Sequence, residues 1–286
     1  MKKNILFFSV FLCFLSLSGQ TTSVLNFFHN VAYFTPSNKF DQSTRIDLQS
    51  VSYFSNLSVG LKTQLFSVQK RLNNSIGLGG LINRTTIGKA NSITGFDLYL
   101  NYSLKVKESS SLTAGAGLSF KSTDYNEQLL LTSFDENSGL FTYGEEYFRT
   151  NSTGVPLGLE FTNANFQSGI YFDLGINQKS EYGVYGRWLS FASEKDVNIF
   201  NWIEGALYDK GHGLELMISN KFSVENAGIS LFANSNLAQG YTSNKMSFGA
   251  SIFYLWKVFN INYSFSTNKS DLGLNHQLGM SIFLNK

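Results

Sequence analysis

Residues 96–107, which read FDLYLNYSLKVK, alternate between apolar and polar side chains without a break. The even positions carry the apolar or aromatic set Phe96, Leu98, Leu100, Tyr102, Leu104 and Val106. The odd positions are mainly polar: Asp97, Asn101, Ser103, Lys105 and Lys107, with Tyr99 among them. Because successive side chains of a β-strand point to opposite faces, this pattern predicts a strand with one apolar and one polar face.

The same alternation recurs along most of the chain. It predicts strands at 44–54, 57–67, 75–84, 95–107, 112–122, 153–163, 168–177, 182–192, 196–207, 213–222, 228–236, 244–255, 258–267 and 274–284. Their number is about 14, and their lengths are near the roughly 10 residues with which a strand crosses an outer membrane. The sequence therefore predicts an all-β fold, a closed antiparallel transmembrane β-barrel of about 14 strands. The weakest strand is 196–207, and the number depends on it.

An export signal precedes the predicted strands. Lys2 and Lys3 are followed by an apolar run over 5–17 and then by the small residues Ser18 and Gly19. This order is typical of a cleaved signal peptide over 1–19. Residues 20–43 are then a periplasmic N-terminal segment, and 44–286 form the outer-membrane barrel. Cys13 is the only cysteine, so the predicted mature chain has no disulfide or thiol nucleophile.

Charge and composition support the same fold class. The formal net charge is +2, and Lys2 and Lys3 account for both charges. The mature chain is thus nearly neutral and has no basic surface for nucleic acid. A soluble β-sandwich also alternates apolar and polar residues. Many long strands, a polar face of Asn, Ser and Gly, and aromatic residues near strand ends favour the barrel.

The longest predicted connection, 123–152, is a candidate site for binding a partner. With the C-terminus in the periplasm, the strand count places this loop outside the cell, where barrels have their longer loops. The loop is acidic, with Arg149 as its only cation. Exposed aromatic residues are typical anchors for protein partners, and five of them are predicted to bind one here: Phe134, Phe141, Tyr143, Tyr147 and Phe148. Alternatively, the loop folds back and plugs the barrel.

No catalytic, cofactor or metal site is predicted, and we expect the protein not to be an enzyme. His29, His212 and His276 are far apart and have no zinc-type spacing. Outer-membrane hydrolases combine Ser and His on a barrel, so His276 with a nearby serine is an alternative. The glycines of 77–80 and 115–117 lie inside predicted strands and are interpreted as sites of close packing.

Several short segments resemble the PorP/SprF family of outer-membrane proteins, which is associated with the type IX secretion system of Bacteroidetes. Residues 28–33 read FHNVAY and resemble a Phe-x-Asn-Pro-Ala-Tyr segment, with Val31 in place of the proline. Residues 62–64, 76–83, 87–88 and 97–102 are also similar to the family. Residues 263–267 and 276–278 resemble its C-terminal patterns, with Ser264 and Gln277 in place of acidic residues.

This resemblance implies a non-enzymatic role in the outer membrane of a Gram-negative bacterium. Some family members help to attach or export cell-surface adhesins, and others are linked to the secretion machinery. The expected partners are outer-membrane lipid and a secreted surface protein or a machinery component, with no cofactor and no nucleic acid. A pore for small solutes is the alternative, because a barrel of about 14 strands can enclose a lumen.

Overall fold

The computed structural model describes residues 44–53, 61–87, 91–107, 109–126, 147–176, 181–194, 197–208, 214–237, 245–267 and 274–284. The predicted signal peptide 1–19 and segment 20–43 lie outside these ranges. Within them, no helix is long and apolar enough to cross a membrane.

The described residues form strands that pair in chain order. The strands are β1 (Thr44–Tyr53), β2 (Leu61–Arg71), β3 (Ile76–Ile87), β4 (Asn91–Lys107), β5 (Ser110–Asn126), β6 (Tyr147–Asn163), β7 (Phe166–Gly175), β8 (Glu181–Glu194), β9 (Val197–Tyr208), β10 (Leu214–Val224), β11 (Ala227–Leu237), β12 (Lys245–Trp256), β13 (Phe259–Thr267) and β14 (Leu274–Leu284). Each is antiparallel to the next, and β1 pairs with β14, so the sheet closes into a barrel. The prediction of an all-β fold with one antiparallel sheet is confirmed.

The two faces of β4 are those that its alternation predicted. Leu100 and Val106 point outward and are 52% and 58% exposed, whereas Tyr99 and Asn101 point inward and are 5% and 3% exposed. Large apolar side chains are exposed in the same way on the outward face of β5, β7, β12, β13 and β14. Such a surface is stable in contact with lipid. Exposing apolar side chains to lipid costs no free energy, and neighbouring strands pair each other's backbone N–H and C=O groups.

Strand β2 continues past its predicted end. The pattern placed it at 57–67 with Leu57, Val59, Leu61, Thr63 and Leu65 on one face; residues 57–60 lie outside the described ranges, and the strand covers Leu61–Arg71. Thr63 and Leu65 are buried together on the inward face, and Ser67 continues that face. The pairing with β1 sets Ser67 opposite the inward Asp47. Because a register fixes the face of every residue along a strand, this pairing extends β2 beyond the point at which its apolar residues change face.

The two ends of the barrel have different connections. At the first end, which we name the turn end, short turns at 72–75, 164–165, 225–226 and 257–258 join consecutive strands. Glu225 and Lys257 adopt positive φ angles of 47° and 55° in two of these turns, as tight turns often require. Thr44 of β1 pairs with Leu284 of β14 at this same end. The longer connections, including 127–146, join the strands at the opposite, loop end.

Candidate functional sites on the outer hairpin and the inner wall

The predicted partner loop is narrower than expected. Residues 123–126 belong to β5 and 147–152 belong to β6, so the connection covers only 127–146. Tyr125 pairs with Phe148, and Asn126 pairs with Tyr147. The predicted bounds of 123–152 were wrong because polar residues occupy both faces of these extensions, which therefore lack the apolar alternation that revealed the rest of the wall.

The five predicted anchor residues divide between the stem of this hairpin and the connection 127–146. Tyr147 and Phe148 begin β6 and thus lie in the stem. Phe134, Phe141 and Tyr143 lie outside the described residues. The structure therefore fixes the backbone position of two anchors, and their role in binding stays a prediction.

Arg149 binds acidic and polar groups within the stem. Its Nε atom is 3.6 Å from Oδ1 of Asp124 and donates a hydrogen bond to Oγ of Ser122 at 3.1 Å. The predicted loop contained one cation, and that cation is already paired at the base of the hairpin. Arg149 thus does not balance the acidic residues of the connection 127–146, whose sequence contains no Lys or Arg.

A polar surface, here called the inner wall, lines the inward face of β10–β14, β1 and β2. Its members are small or amide-bearing and almost completely buried: Asp47, Gln49, Thr63, Ser67, Gln69, Ser219, Ser223, Ser230, Ser251, Asn262, Ser264, Ser266, Asn275, Gln277 and Ser281. Inward residues of Asn, Ser, Gly and Gln were expected from the alternation. Their near-complete burial was not.

Asp47 is the centre of the strongest polar cluster in the inner wall. Arg45 Nε donates to its Oδ1 at 2.8 Å, Ser281 Oγ donates to the same oxygen at 2.6 Å, and Ser67 Oγ donates to Oδ2 at 3.2 Å. The cluster joins β14, β1 and β2, so it crosses the place where the barrel closes. Sequence reasoning missed it, because only barrel closure brings Ser281 and Asp47 together.

Amide and hydroxyl pairs continue this surface toward the loop end. Gln277 Nε2 donates to Gln49 Oε1 at 3.4 Å, and Asn275 Nδ2 donates to Ser266 Oγ at 3.3 Å. Other amide atoms are buried with no hydrogen-bond partner among the described residues. They are Nδ2 and Oδ1 of Asn262, Nε2 of Gln49 and Oε1 of Gln277.

A charged group lies on the inward face of β4, β5 and β7, away from the inner wall. Lys121 Nζ is 3.6 Å from Oδ2 of Asp173; the Asp173 side chain is largely buried, whereas that of Lys121 is 35% exposed. Asp97 faces the same side of the sheet and is half-buried. Two carboxylates and one ammonium group thus face the lumen in one part of the barrel.

The glycines inside strands allow close packing, as predicted. A Cβ on Gly79 would overlap the ring of Tyr99, and a Cβ on Gly117 would overlap the backbone oxygen of Leu98. Both glycines lie in the middle of strands, not in loops that precede a helix. They are therefore parts of the barrel wall.

His276 pairs with an aromatic residue on the outward face. Its Nδ1 atom is 2.7 Å from the hydroxyl of Tyr263, and the two rings stack with centroids 6.1 Å apart. His29 and His212 lie outside the described ranges. Among the residues that the structure describes, no three His, Cys, Asp or Glu form a group that could hold a metal ion. The absence of catalytic activity stays a prediction.

The family assignment follows from the whole length of the chain. Residues 16–284 match the family described as type IX secretion system membrane protein PorP/SprF. The chain belongs to the PorP/SprF family. This PorP/SprF protein is therefore an outer-membrane β-barrel, and the resemblance found in its short motifs is confirmed. Curated protein sequences gave no significant match.

Solved outer-membrane barrels share the fold. The monoaromatic hydrocarbon channel CymD is 8% identical, with a TM-score of 0.54 over 90% of this chain and 93% of that one. The toluene transporter TbuX of Ralstonia pickettii is 10% identical, with a TM-score of 0.53 over 94% and 97%. Omp33 of Acinetobacter baumannii is 9% identical, with a TM-score of 0.52 over 85% and 98%. At these identities the likeness concerns the fold alone.

Proposed function

We propose that this protein is a fourteen-strand outer-membrane barrel that serves type IX secretion by anchoring, or helping to export, a cell-surface protein. The observation that carries this proposal is the family match over 16–284. The acidic, aromatic-rich sequence of the β5–β6 hairpin, from 123 to 152, adds a candidate docking surface. A link to the secretion machinery through the turn end is compatible with the same family role.

The orientation of the barrel is the first premise of this function. Outer-membrane barrels have short turns in the periplasm and longer loops outside the cell. The turn end should therefore face the periplasm, and loop 127–146 should be extracellular. An epitope tag inserted after Ser138 is expected to bind antibody on intact cells. Binding that requires a permeabilised outer membrane would reverse the orientation.

The aromatic residues of the hairpin are the second premise. Truncating an aromatic anchor at the centre of a protein interface typically costs about 2 kcal/mol or more. Replacing Tyr143, Tyr147 and Phe148 by Ala should therefore release the surface protein from the cell, as measured by proteomics of the cell surface and the medium. Heat-modifiable migration on gels should show that the barrel remains folded.

A matched variant in the same loop controls for loop disturbance. The triple change Thr132→Ala, Ser133→Ala and Thr142→Ala removes side chains of similar position but no aromatic group. It should leave the surface protein in place. Equal loss in both triple variants would mean that the aromatic residues are not the anchors.

Deletion of the gene tests the function as a whole. We expect one or a few proteins to leave the cell surface, while uptake of small solutes stays unchanged. An unaltered surface proteome with slower uptake of a nutrient would reject docking and support the pore.

A small-solute pore is the second candidate, and the charged group on β4, β5 and β7 favours it. Charged side chains at a constriction select ions and solutes in barrel pores. If the lumen conducts, replacing Lys121 by Gln should change the ion selectivity of the protein in planar bilayers. Conductance that is absent in both forms would leave the secretion role as the better account.

A further inference from the structure

Four cations gather at the turn end of two strands that flank β3. Lys70 and Arg71 end β2, and Lys105 and Lys107 lie at the end of β4. Within the described part of the chain, none of the four forms an ion pair. Glu108, which follows in sequence and lies outside the described residues, is the one acidic residue beside them. This corner of the turn end is therefore positively charged.

A polar cleft lies beside these cations. It is lined by Arg71, Asn73, Asn74, Ser75, Gly77, Asn101 and Ser103. The register sets Arg71 opposite Gly77, and Gly77 opposite Asn101, so the cleft extends across three neighbouring strands. Because Asn101 and Ser103 belong to the inward set of β4, the cleft faces the mouth of the lumen.

The turn after β2 holds the Arg71 guanidinium in this cleft. Nε donates to the backbone oxygen of Asn73 at 3.1 Å, and Nη2 donates to that of Asn74 at 3.2 Å. The Asn73 side chain in turn accepts from the backbone N–H groups of Ser75 and Ile76, both at 2.8 Å. Ordering a long side chain is one of the costs of binding. A guanidinium that is already held therefore favours an incoming carboxylate.

The end of β4 carries lysines past the cleft. Pairing of β4 with β3 ends at Tyr102, whereas β4 continues to Lys107. Lys105 and Lys107 are exposed. Lys105 has the inward parity of Asn101 and lies about 14 Å further along the strand. An extended segment of about five residues can therefore contact both the cleft and Lys105.

A carboxylate on the neighbouring wall does not reach this cleft. The register sets Ser103 opposite Thr113, and Thr113 opposite Glu160. Glu160 has no exposed surface and accepts a hydrogen bond from Thr162 Oγ1 at 3.2 Å. Its charge is thus held inside the wall of β6, and the cleft stays open to a carboxylate from outside the chain.

The inward position of the cleft favours a polypeptide over lipid. Lipid headgroups surround the outward face, to which Lys70 points and where Lys257 lies 5.7 Å from the ring of the exposed Trp256. Arg71 and Lys105 instead have the inward parity of their strands. A partner that reaches both must come to the mouth of the lumen.

We propose that the cleft with Lys105 and Lys107 beside it, here called the basic cleft, binds an acidic polypeptide segment that approaches from the periplasm. Asp or Glu carboxylates pair with the guanidinium and ammonium groups. The backbone of the segment offers donors and acceptors to the amide and hydroxyl lining. The periplasmic origin of the segment rests on the orientation proposed above, whereas its binding does not.

Binding of a defined peptide to the purified barrel tests the proposal. In neutral detergent at low salt, a fluorescein-labelled peptide of alternating Glu and Ser should bind, and the same peptide with Gln in place of Glu should not. The double change Arg71→Gln and Lys105→Gln should weaken the binding about tenfold, because two charged partners are lost. Fluorescence anisotropy gives the affinities. An unaltered protein that does not bind the Glu peptide would overturn the proposal.

The double change Lys62→Gln and Arg84→Gln is the matched control. It also removes two positive charges, from exposed positions near the loop end of β2 and β3. Peptide affinity should stay as in the unaltered protein. Equal weakening in the two double variants would mean that net charge alone attracts the peptide, which contradicts a basic cleft.

A second variant keeps the test valid if the loss of Arg71 disturbs its turn. Lys105→Gln with Lys107→Gln changes only exposed side chains. It should weaken peptide binding about threefold, as is usual for exposed ion pairs. Unchanged affinity in this variant would remove the lysines from the site and overturn the proposal.

Lipid is distinguished by a fluorescent phosphatidylglycerol in the same micelles. It should bind equally to the unaltered protein and to both variants of the basic cleft. Weaker lipid binding in these variants, with the peptide unaffected, would assign the cations to lipid headgroups instead. The epitope tag after Ser138 tests the orientation separately. A reversed barrel would thus reject the periplasmic partner, whereas failed peptide binding rejects the cleft itself.

Discussion

The outward and inward faces of the barrel wall contrast in both side-chain size and exposure. On β14, Leu278 points outward and is 57% exposed, whereas its neighbour Gln277 points inward and has no exposed surface. A water-soluble sheet would bury the leucine and expose the glutamine. The difference shows that the outward face was selected for contact with lipid and the inward face for contact with a packed polar interior.

The largest effect should come from placing a charge on the lipid face. Leu100→Arg, near the middle of β4, should lower the free energy of unfolding in liposomes by about 2–4 kcal/mol, because an arginine at the bilayer midplane is poorly solvated. Val106→Arg is the matched control on the same strand and the same face. It lies beside the turn end, where the cost falls to about 0–1 kcal/mol.

The difference between these two variants reports how deeply positions 100 and 106 lie in the bilayer. Denaturant titration of the folded protein in liposomes gives both free energies. Equal losses at Leu100 and Val106 would mean that the outward face of β4 does not cross the membrane as described.

A smaller effect is expected from the inward Asp47 cluster. Asp47→Ala removes one acceptor of three hydrogen bonds and leaves Arg45, which is 17% exposed, without its ion pair. The expected loss is about 2–3 kcal/mol in the same assay, since the Arg45 guanidinium and the hydroxyls of Ser67 and Ser281 would lose their shared acceptor, and polar groups left unpaired in a buried site are costly. Ser281→Ala removes only one of the three bonds and should cost about 1 kcal/mol. A neutral Asp47→Ala would show that water enters this part of the lumen.

The smallest effect compares a methyl group added to each face. Gly117→Ala places a Cβ against the backbone oxygen of Leu98 on the inward side, where a strand must shift. Overpacking of this kind costs about 1–3 kcal/mol. Gly80→Ala points outward and meets the Leu98 side chain at 3.4 Å, an ordinary contact. It should be neutral or slightly stabilising, because alanine lowers the conformational entropy of the unfolded chain relative to glycine. Equal losses would remove the distinction between the faces.

Local alternation predicted the fold because every strand presents one face to lipid and the other to the lumen, so each strand carries the signal in its own sequence. The apolar face of β4 was predicted from its alternation, and its residues Leu98, Leu100 and Val106 are exposed in the structure. The end of β2 was predicted too early, because its apolar residues change from the inward face at Leu65 to the outward face at Phe66 and Val68. Its position follows from pairing with β1, and pairing between strands has no local signal in one sequence.

The candidate sites were less predictable, because they depend on contacts between distant strands. The hairpin stem at 123–126 and 147–152 has polar residues on both faces, so sequence assigned it to the loop. The Asp47 cluster requires residues of β14, β1 and β2. Neither a spacing nor a composition reveals such a cluster until the barrel has closed.

The pairing of β1 with β14 has a consequence for biogenesis. Each other pair of neighbouring strands is consecutive in the chain and can form as a local hairpin. The hydrogen bond between Ser281 and Asp47 instead joins residues 234 positions apart, and contacts of such separation are slow to form because the intervening chain must first be ordered. A chain truncated within β14 would keep two bare edges, which attract further strands. Completion of the last strand is thus the step at which an aggregation-prone intermediate becomes a sealed wall.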